Sequence, residues 1–361
     1  MSNYTEHNEK IAFHPGYYLK EIVEESGLTQ EDYAKKLGTT PKNLSILIHG
    51  DQSLSIEIAT KLSRMLGTTV TYWLKLQQHY DEMQAQFISD EELTKEREVF
   101  KLIDYRYFRD NFHLPALPRK IDEQIKALRE FLAISSLTLL TNIDLSASFR
   151  SYTNKLSKSN IVNSNVMVQI GVNDVSHIDA PQYSRVIFQK AVTEALTLTS
   201  DYKTALSKIR KSFCDAGVVL VTLPNLPNSG INGATKKVDG KILLMVNDKR
   251  HYADTFWFTL FHEIGHILHG DYGITFEDNS CESENEADTY ARNALIPEKT
   301  YNKFISETSV YDETVIRKFA HKINRDPGIV YGRLQKDKII PYTDTSLCNK
   351  LRTKYTVSID Q

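Results

Sequence analysis

Residues 262–266 read His262-Glu263-Ile264-Gly265-His266. On a helix, residues four apart lie one above the other, about 6 Å apart along the axis. Two imidazoles at that spacing can close on one Zn²⁺ ion. Glu263 can then hold and deprotonate a water that the ion activates, so the spacing predicts hydrolysis. The plainer alternative is a surface helix with two solvated histidines. Such a helix would have no use for Phe256, Trp257, Phe258, Leu260 and Phe261 directly before the motif. An apolar run of that kind belongs in a core.

A catalytic zinc needs three protein ligands and one open position. The cysteines, Cys214, Cys281 and Cys348, are far apart and form no CxxC pair, so the ligands must be histidine and carboxylate. His269 sits three residues after His266 and cannot easily face the same ion as both other histidines. Further on, Glu282, Glu284, Glu286 and Asp288 open a predicted helix that ends near Leu295. Glu284, Ala287, Asp288 and Ala291 share one face of it, and its small residues let two helices approach closely. Glu284 is therefore the expected third ligand, with Glu286 as the alternative. Asp288, one turn on, would orient the second ring nitrogen of a ligand histidine. Glu282 reads as a solvated acid favoured by the helix dipole. Tyr252, His251, His269 and Tyr290 are within the range of types that can support an oxyanion, but each reads more readily as structural than as catalytic.

The elements that must position these residues are partly visible. Gly217 to Leu223 and Lys241 to Val246 are β-branched or apolar runs that read as strands. Ile231-Asn232-Gly233-Ala234 between them reads as a turn. A small sheet is thus expected before the motif helix. Residues 151–182 are rich in Ser and Asn and predict a loop or a partly ordered excursion. Residues 79–150 read as helical: Glu91 to Asp104 is mixed in charge and Ile121 to Ile134 has apolar residues at helical spacing, with Leu114-Pro115-Ala116-Leu117-Pro118 as a break between them.

The first eighty residues read as short helices with clear punctuation. Thr29 caps a helix that ends at Gly38, and Thr40 caps the next, with Pro41 at its first position and Gly50 beyond its end. A further helix is expected from Ser55 to Leu66. Helix, tight turn, helix is the geometry of a helix-turn-helix DNA reader. The exposed residues at the start of its second helix would be Thr40, Lys42, Asn43 and Ser45, suited to base edges and phosphates. Gln30 is placed to reach a phosphate. Charge does not help this reading: residues 1–80 hold slightly more Asp and Glu than Lys and Arg. A small docking or dimerisation module is the competing interpretation.

Composition adds bounds. The chain has 361 residues and a net charge of −2, so no overall charge drives it to nucleic acid or membrane. No apolar run is long enough to span a bilayer. The polar start, Met1 to His7, lacks a signal-peptide core, and three scattered cysteines suit a reducing compartment. The expected location is the cytoplasm. The expected class is mainly α with a small β-sheet, α+β. The expected division is a helix-turn-helix bundle over 1–80, a helical connector over 81–150 and an HExxH metallopeptidase domain over 151–361.

Two family resemblances refine this. His14-Pro15-Gly16, Gly27 to Glu31, Leu37-Gly38, Pro41-Lys42, His49-Gly50, Leu66-Gly67-Thr68 and Tyr72 to Gln77 resemble HigA-type antitoxins, repressors with an Xre-family helix-turn-helix. This implies operator DNA as a partner, homodimerisation through the N-terminal domain and capture of a partner toxin. Ile46 departs from the pattern, which often has a polar residue there. Asn232-Gly233-Ala234, Asp254, Phe256 to His269, Glu284-x-x-Ala287-Asp288-x-x-Ala291, Leu295-Ile296-Pro297 and Pro327 to Gln335 resemble the ImmA/IrrE metallopeptidases. That resemblance implies one zinc per chain and cleavage of Xre-type repressors in stress or mobile-element control. A repressor and antitoxin whose zinc domain only senses or docks is the alternative.

Overall fold

The computed structural model describes residues 3–142, 157–200, 202–276 and 282–359. The chain divides into two compact units, Met1–Lys95 and Glu96–Gln361. Among the described residues, no helix is long and apolar enough to cross a membrane.

The first unit opens with a hairpin of β1 (Tyr4–His7) and β2 (Lys10–Phe13), paired antiparallel. The sequence reading did not anticipate it. Its two turn residues, Asn8 and Glu9, both have positive φ, so the hairpin uses a primed-type turn without the Asn-Gly signal. Four short helices follow: α1 (Pro15–Glu25), α2 (Gln30–Leu37), α3 (Pro41–His49) and α4 (Ile56–Leu66). The capping assignments hold. The Thr29 hydroxyl accepts from the Asp32 N–H, and the Thr40 hydroxyl from the Asn43 N–H. Leu19, Tyr33, Leu37, Leu44, Leu47, Ile48 and Leu62 make the core. Trp73, on α5 (Val70–Phe100), closes it, donating its indole N–H to Thr68. One turn later the Gln77 carbonyl accepts the Leu54 N–H, which ties the start of α5 to the helical bundle. α5 runs for 31 residues and carries the chain past residue 80 without a break.

The second unit begins with α6 (Tyr105–Phe112) and α7 (Ile121–Leu132), then α8 (Lys158–His177). α8 corrects the loop expected over 151–182, whose first six residues lie outside the described ones. Its Ser157 and Asn160 cap each other reciprocally. Its polar residues are in the core because they satisfy stranded carbonyls. Asn163 donates to Leu102 O at 2.9 Å, and Asn165 to Leu140 O and Asn142 O at 2.9 and 2.8 Å. Amide-rich composition here serves a buried helix, which composition alone cannot distinguish from a loop.

α9 (Arg185–Thr197) and α10 (Tyr202–Cys214) lead into a four-stranded sheet of order β3-β5-β4-β6. Its strands are β3 (Val218–Leu223), β4 (Ile231–Val238), β5 (Lys241–Asn247) and β6 (Gly273–Phe276). The two strands expected from the sequence are present but pair in parallel, and the supposed turn between them is part of β4. Parallel neighbours need a crossover rather than a hairpin. β5 is covered on both faces. Ile242, Leu244 and Val246 join the core of the motif helix, α11 (Ala253–His269), while Leu243 meets Gly171 of α8. After α11 come α12 (Glu282–Leu295), α13 (Glu298–Glu307), α14 (Glu313–Lys322), α15 (Pro327–Lys336) and α16 (Thr345–Leu351). The class is α+β, as expected.

Candidate metal centre and nucleic-acid helix

α11 ends at Gly270, whose left-handed φ of 79° returns its N–H to the last turn. Trp257, Leu260, Phe261 and Ile264 are wholly buried and fix the helix in the core. That rigidity sets His262 and His266 one turn apart with ring centroids 4.8 Å from each other. Both are buried, as is Glu263. Their Nε2 atoms face each other at 3.0 Å. The Glu284 carboxylate reaches in from α12, 3.1 Å from His262 Nε2 and 3.4 Å from His266 Nε2.

The other ring nitrogens face carboxylates too. His262 Nδ1 is 2.8 Å from Asp288, and His266 Nδ1 is 3.2 Å from Asp271. With each ring neutral and its Nδ1–H donating outward to an acid, both Nε2 lone pairs and the Glu284 carboxylate are aimed at one point. Three acceptors converging in a buried spot repel one another unless a cation lies among them. Protons respond to the same crowding of acceptors. Burial pushes the His262 imidazole down, but hydrogen bonds to Asp288 and Glu284 and the Glu263 charge outweigh it and raise it to about 9. Burial pushes Glu284 up, yet its bonds to both histidines bring it down to about 2. The pocket favours positive charge where the three atoms meet. Two nitrogens and a carboxylate, all within 4.8 Å of one another, are the donor set of a catalytic zinc. The residues fit that ion.

Close packing sets these positions. α11 and α12 meet at Gly265, where a Cβ would lie 3.2 Å from Ala287 Cα and from the Tyr290 ring. Beneath Glu263 lies Gly233, where a Cβ would be 2.6 Å from Glu263 Cγ and 2.8 Å from its Oε1. Gly233 therefore belongs to the site as the floor under Glu263. The pairing of β4 with β6 shifts register between Ile231 and Gly233. Asn232, at that bulge, lines the cleft.

The cleft has a volume of about 280 Å³ and is lined by His262, Glu263, Glu284 and Asp288 among others. Glu286, the alternative ligand, is exposed and borders a separate depression with His269 and Tyr290. The structure does not bring it to the histidines. None of the four oxyanion candidates lines the metal cleft. Tyr252 instead stacks under Arg352 and Lys354, and His251 sits beside Asp248. Sequence reasoning missed Asp271. The available signal was an acid placed just past the Gly270 cap, within reach of the last helical turn.

In the first unit, Gln30 and Lys42 are exposed at the starts of α2 and α3. Asn43 is engaged on both sides: its amide donates to Thr39 at 2.9 Å, and its carbonyl oxygen accepts from Gln52 at 2.6 Å. Thr40 is spent on the helix cap, and Ser45 shares the His49 ring. Two of the five expected DNA contacts, Thr40 and Asn43, thus hold α3 in place in this structure.

Residues 19–73 match the family model of the helix-turn-helix, and residues 216–330 match that of the IrrE N-terminal-like domain. The chain is 30% identical over 79 residues to the uncharacterized HTH-type transcriptional regulator YddM of Escherichia coli. That match covers 21% of this chain and 84% of the relative. It is also 30% identical over 80 residues to virulence-associated protein I of Dichelobacter nodosus, covering 22% and 74%. Among solved structures, an addiction module antidote protein of a HigA family from Coxiella burnetii shares 29% identity at a TM-score of 0.22. It covers 24% of this chain and 94% of its own.

Proposed function

Because the chain belongs to the helix-turn-helix transcriptional regulators and carries an IrrE N-terminal-like domain behind that module, we propose that it is a DNA-binding regulator with a zinc-dependent endopeptidase domain. Its substrate class is a protein chain: an Xre-type repressor, a toxin-system partner or a copy of itself, in the cytoplasm. It binds operator DNA as a homodimer through the first unit. The observation that carries this reading is the convergence of His262 Nε2, His266 Nε2 and Glu284 beside buried Glu263.

When bound, one Zn²⁺ held by His262, His266 and Glu284 would polarise the scissile carbonyl and make water acidic near neutral pH. Glu263 takes the water's proton and hands it to the leaving amine. Asp288 and Asp271 hold the two rings in the tautomer that presents Nε2 inward. Gly233 leaves Glu263 the room it needs and nothing more. The core around Trp257 and Phe261 keeps the helix rigid, so the arrangement is in place before substrate arrives.

Purified protein with stoichiometric zinc should cleave a co-resident repressor or partner, and Glu263→Gln should keep the metal and lose cleavage. A second reading makes the chain an antitoxin-like repressor whose zinc domain senses or docks. It predicts that Glu263→Gln is silent in cells while Lys42→Ala derepresses the operator. Zinc-loaded protein that cuts neither repressor, nor partner, nor itself would select that second reading.

A further inference from the structure

The cleft that holds the metal residues is also lined by residues of α12 and α15. Along α12, Glu284, Asp288 and Arg292 face it at intervals of one turn. From α15, Gly332, Arg333 and Lys336 face it from the other side. Arg292 and Arg333 both pair with a single carboxylate, that of Asp337. Two guanidiniums on one acid leave a positive charge uncompensated. Lys336 is exposed and has no carboxylate within ion-pair distance among the described residues, which adds a second. Of the other cations that line the cleft, Arg250 and Arg352, the latter is neutralised by a two-point pair with Asp254, at 2.9 Å on each arm. At the metal residues the sign reverses, with Glu263, Glu284 and Asp288 around the ion's place.

From these observations we infer that Arg292, Arg333 and Lys336 form a subsite for an acidic side chain of the substrate. The inference rests on the peptidase reading, because that reading makes the groove's occupant a peptide. Helix geometry gives the spacing. Eight residues separate Glu284 from Arg292, about 12 Å at a helical rise of about 1.5 Å per residue. An extended peptide advances about 3.3 Å per residue. The recognised Glu or Asp therefore lies about three to four residues from the scissile bond. Ligand selection by charge in a half-enclosed groove raises specificity and falls with salt.

The test uses the full chain and fluorescein-labelled peptides of alternating Ala and Ser that carry two adjacent Glu, Gln or Lys residues. Anisotropy is measured with zinc removed by a chelator, so that binding is read without catalysis. The Glu peptide should bind about fivefold to tenfold tighter than the Gln peptide, the gain that two exposed ion pairs supply. Lys336→Glu should erase that gain and favour the Lys peptide. Equal binding of all three peptides, or a Glu preference untouched by Lys336→Glu, overturns the inference. So does a short oligonucleotide that outcompetes the Glu peptide, which would assign the groove to nucleic acid. With zinc restored, cuts should fall about three to four residues from the Glu pair. Cuts that ignore the Glu pair overturn the subsite alone. A Glu preference in binding with no cleavage of any peptide or protein overturns the peptidase reading alone.

Discussion

Asp326 offers the sharpest physical test of the second unit. It caps α15, accepting the Gly328 N–H at 2.7 Å, and is only 7% exposed. Burial raises its carboxyl to about 6, the Gly328 N–H opposes this, and the nearby Asp254 charge adds to the rise. The folded state thus holds the proton more tightly than the unfolded chain, whose value is near 3.8. Between those two values the folded state binds more protons, so stability falls as pH rises. The loss begins near pH 4 and is complete a little above pH 6. A shift of about two units corresponds to about 3 kcal/mol. Asp326→Asn keeps a good cap and removes the charge. The variant should match the wild type near pH 4 and exceed it by up to about 3 kcal/mol at pH 7. The chain has two tryptophans, Trp73 in the first unit and Trp257 in the second. Urea unfolding followed by fluorescence on a Trp73→Phe background, with chelator present throughout, reports the second unit. Wild-type and Asp326→Asn curves that run parallel from pH 4 to 7 would refute the reasoning.

Other outcomes follow from the same geometry. Asp271→Asn and Asp288→Asn should each weaken zinc binding by about tenfold to a hundredfold, read by competition with a chromogenic chelator, because each loses the acid that orients a ligand ring. If Asp271→Asn binds zinc as the wild type does, the His266 contact is incidental. Gly233→Ala should cut proteolysis by about a hundredfold or more while the far-ultraviolet circular dichroism is unchanged, since its Cβ would displace Glu263. In the first unit, Asn43→Ala should lower stability by about 1 kcal/mol through two lost hydrogen bonds, measured by thermal melting. Lys42→Ala should leave melting unchanged and reduce the salt slope of operator binding by about one.

How much of this was legible beforehand depended on whether the signal was local. Helix caps and turns are local, so Thr29, Thr40, Gly38 and Gly50 marked α2 and α3 directly. The spacing of His262, Glu263 and His266 is local as well. Glu284 and Asp288 were reachable because helical periodicity places them on the face that carries Ala287 and Ala291. Strand pairing is not local. β3 and β5 read correctly as strands, but Asn232-Gly233 resembled a hairpin turn because nothing nearby in sequence shows that β5 pairs with β3 in parallel. The same blindness affected side chains whose partners are distant. Asn165 looks like a loop residue until Leu140 O and Asn142 O are placed against it. Asn43 looks like a base reader until Gln52, nine residues on, is folded back to meet it. Gly233 could be noticed only as half of a turn, whereas its position against Glu263 makes it a steric requirement. The residues hidden from sequence reasoning were thus those whose role is fixed by a neighbour from another element. Such residues are also the ones that hold the reactive groups in place, so the predicted chemistry was readable before the means of supporting it.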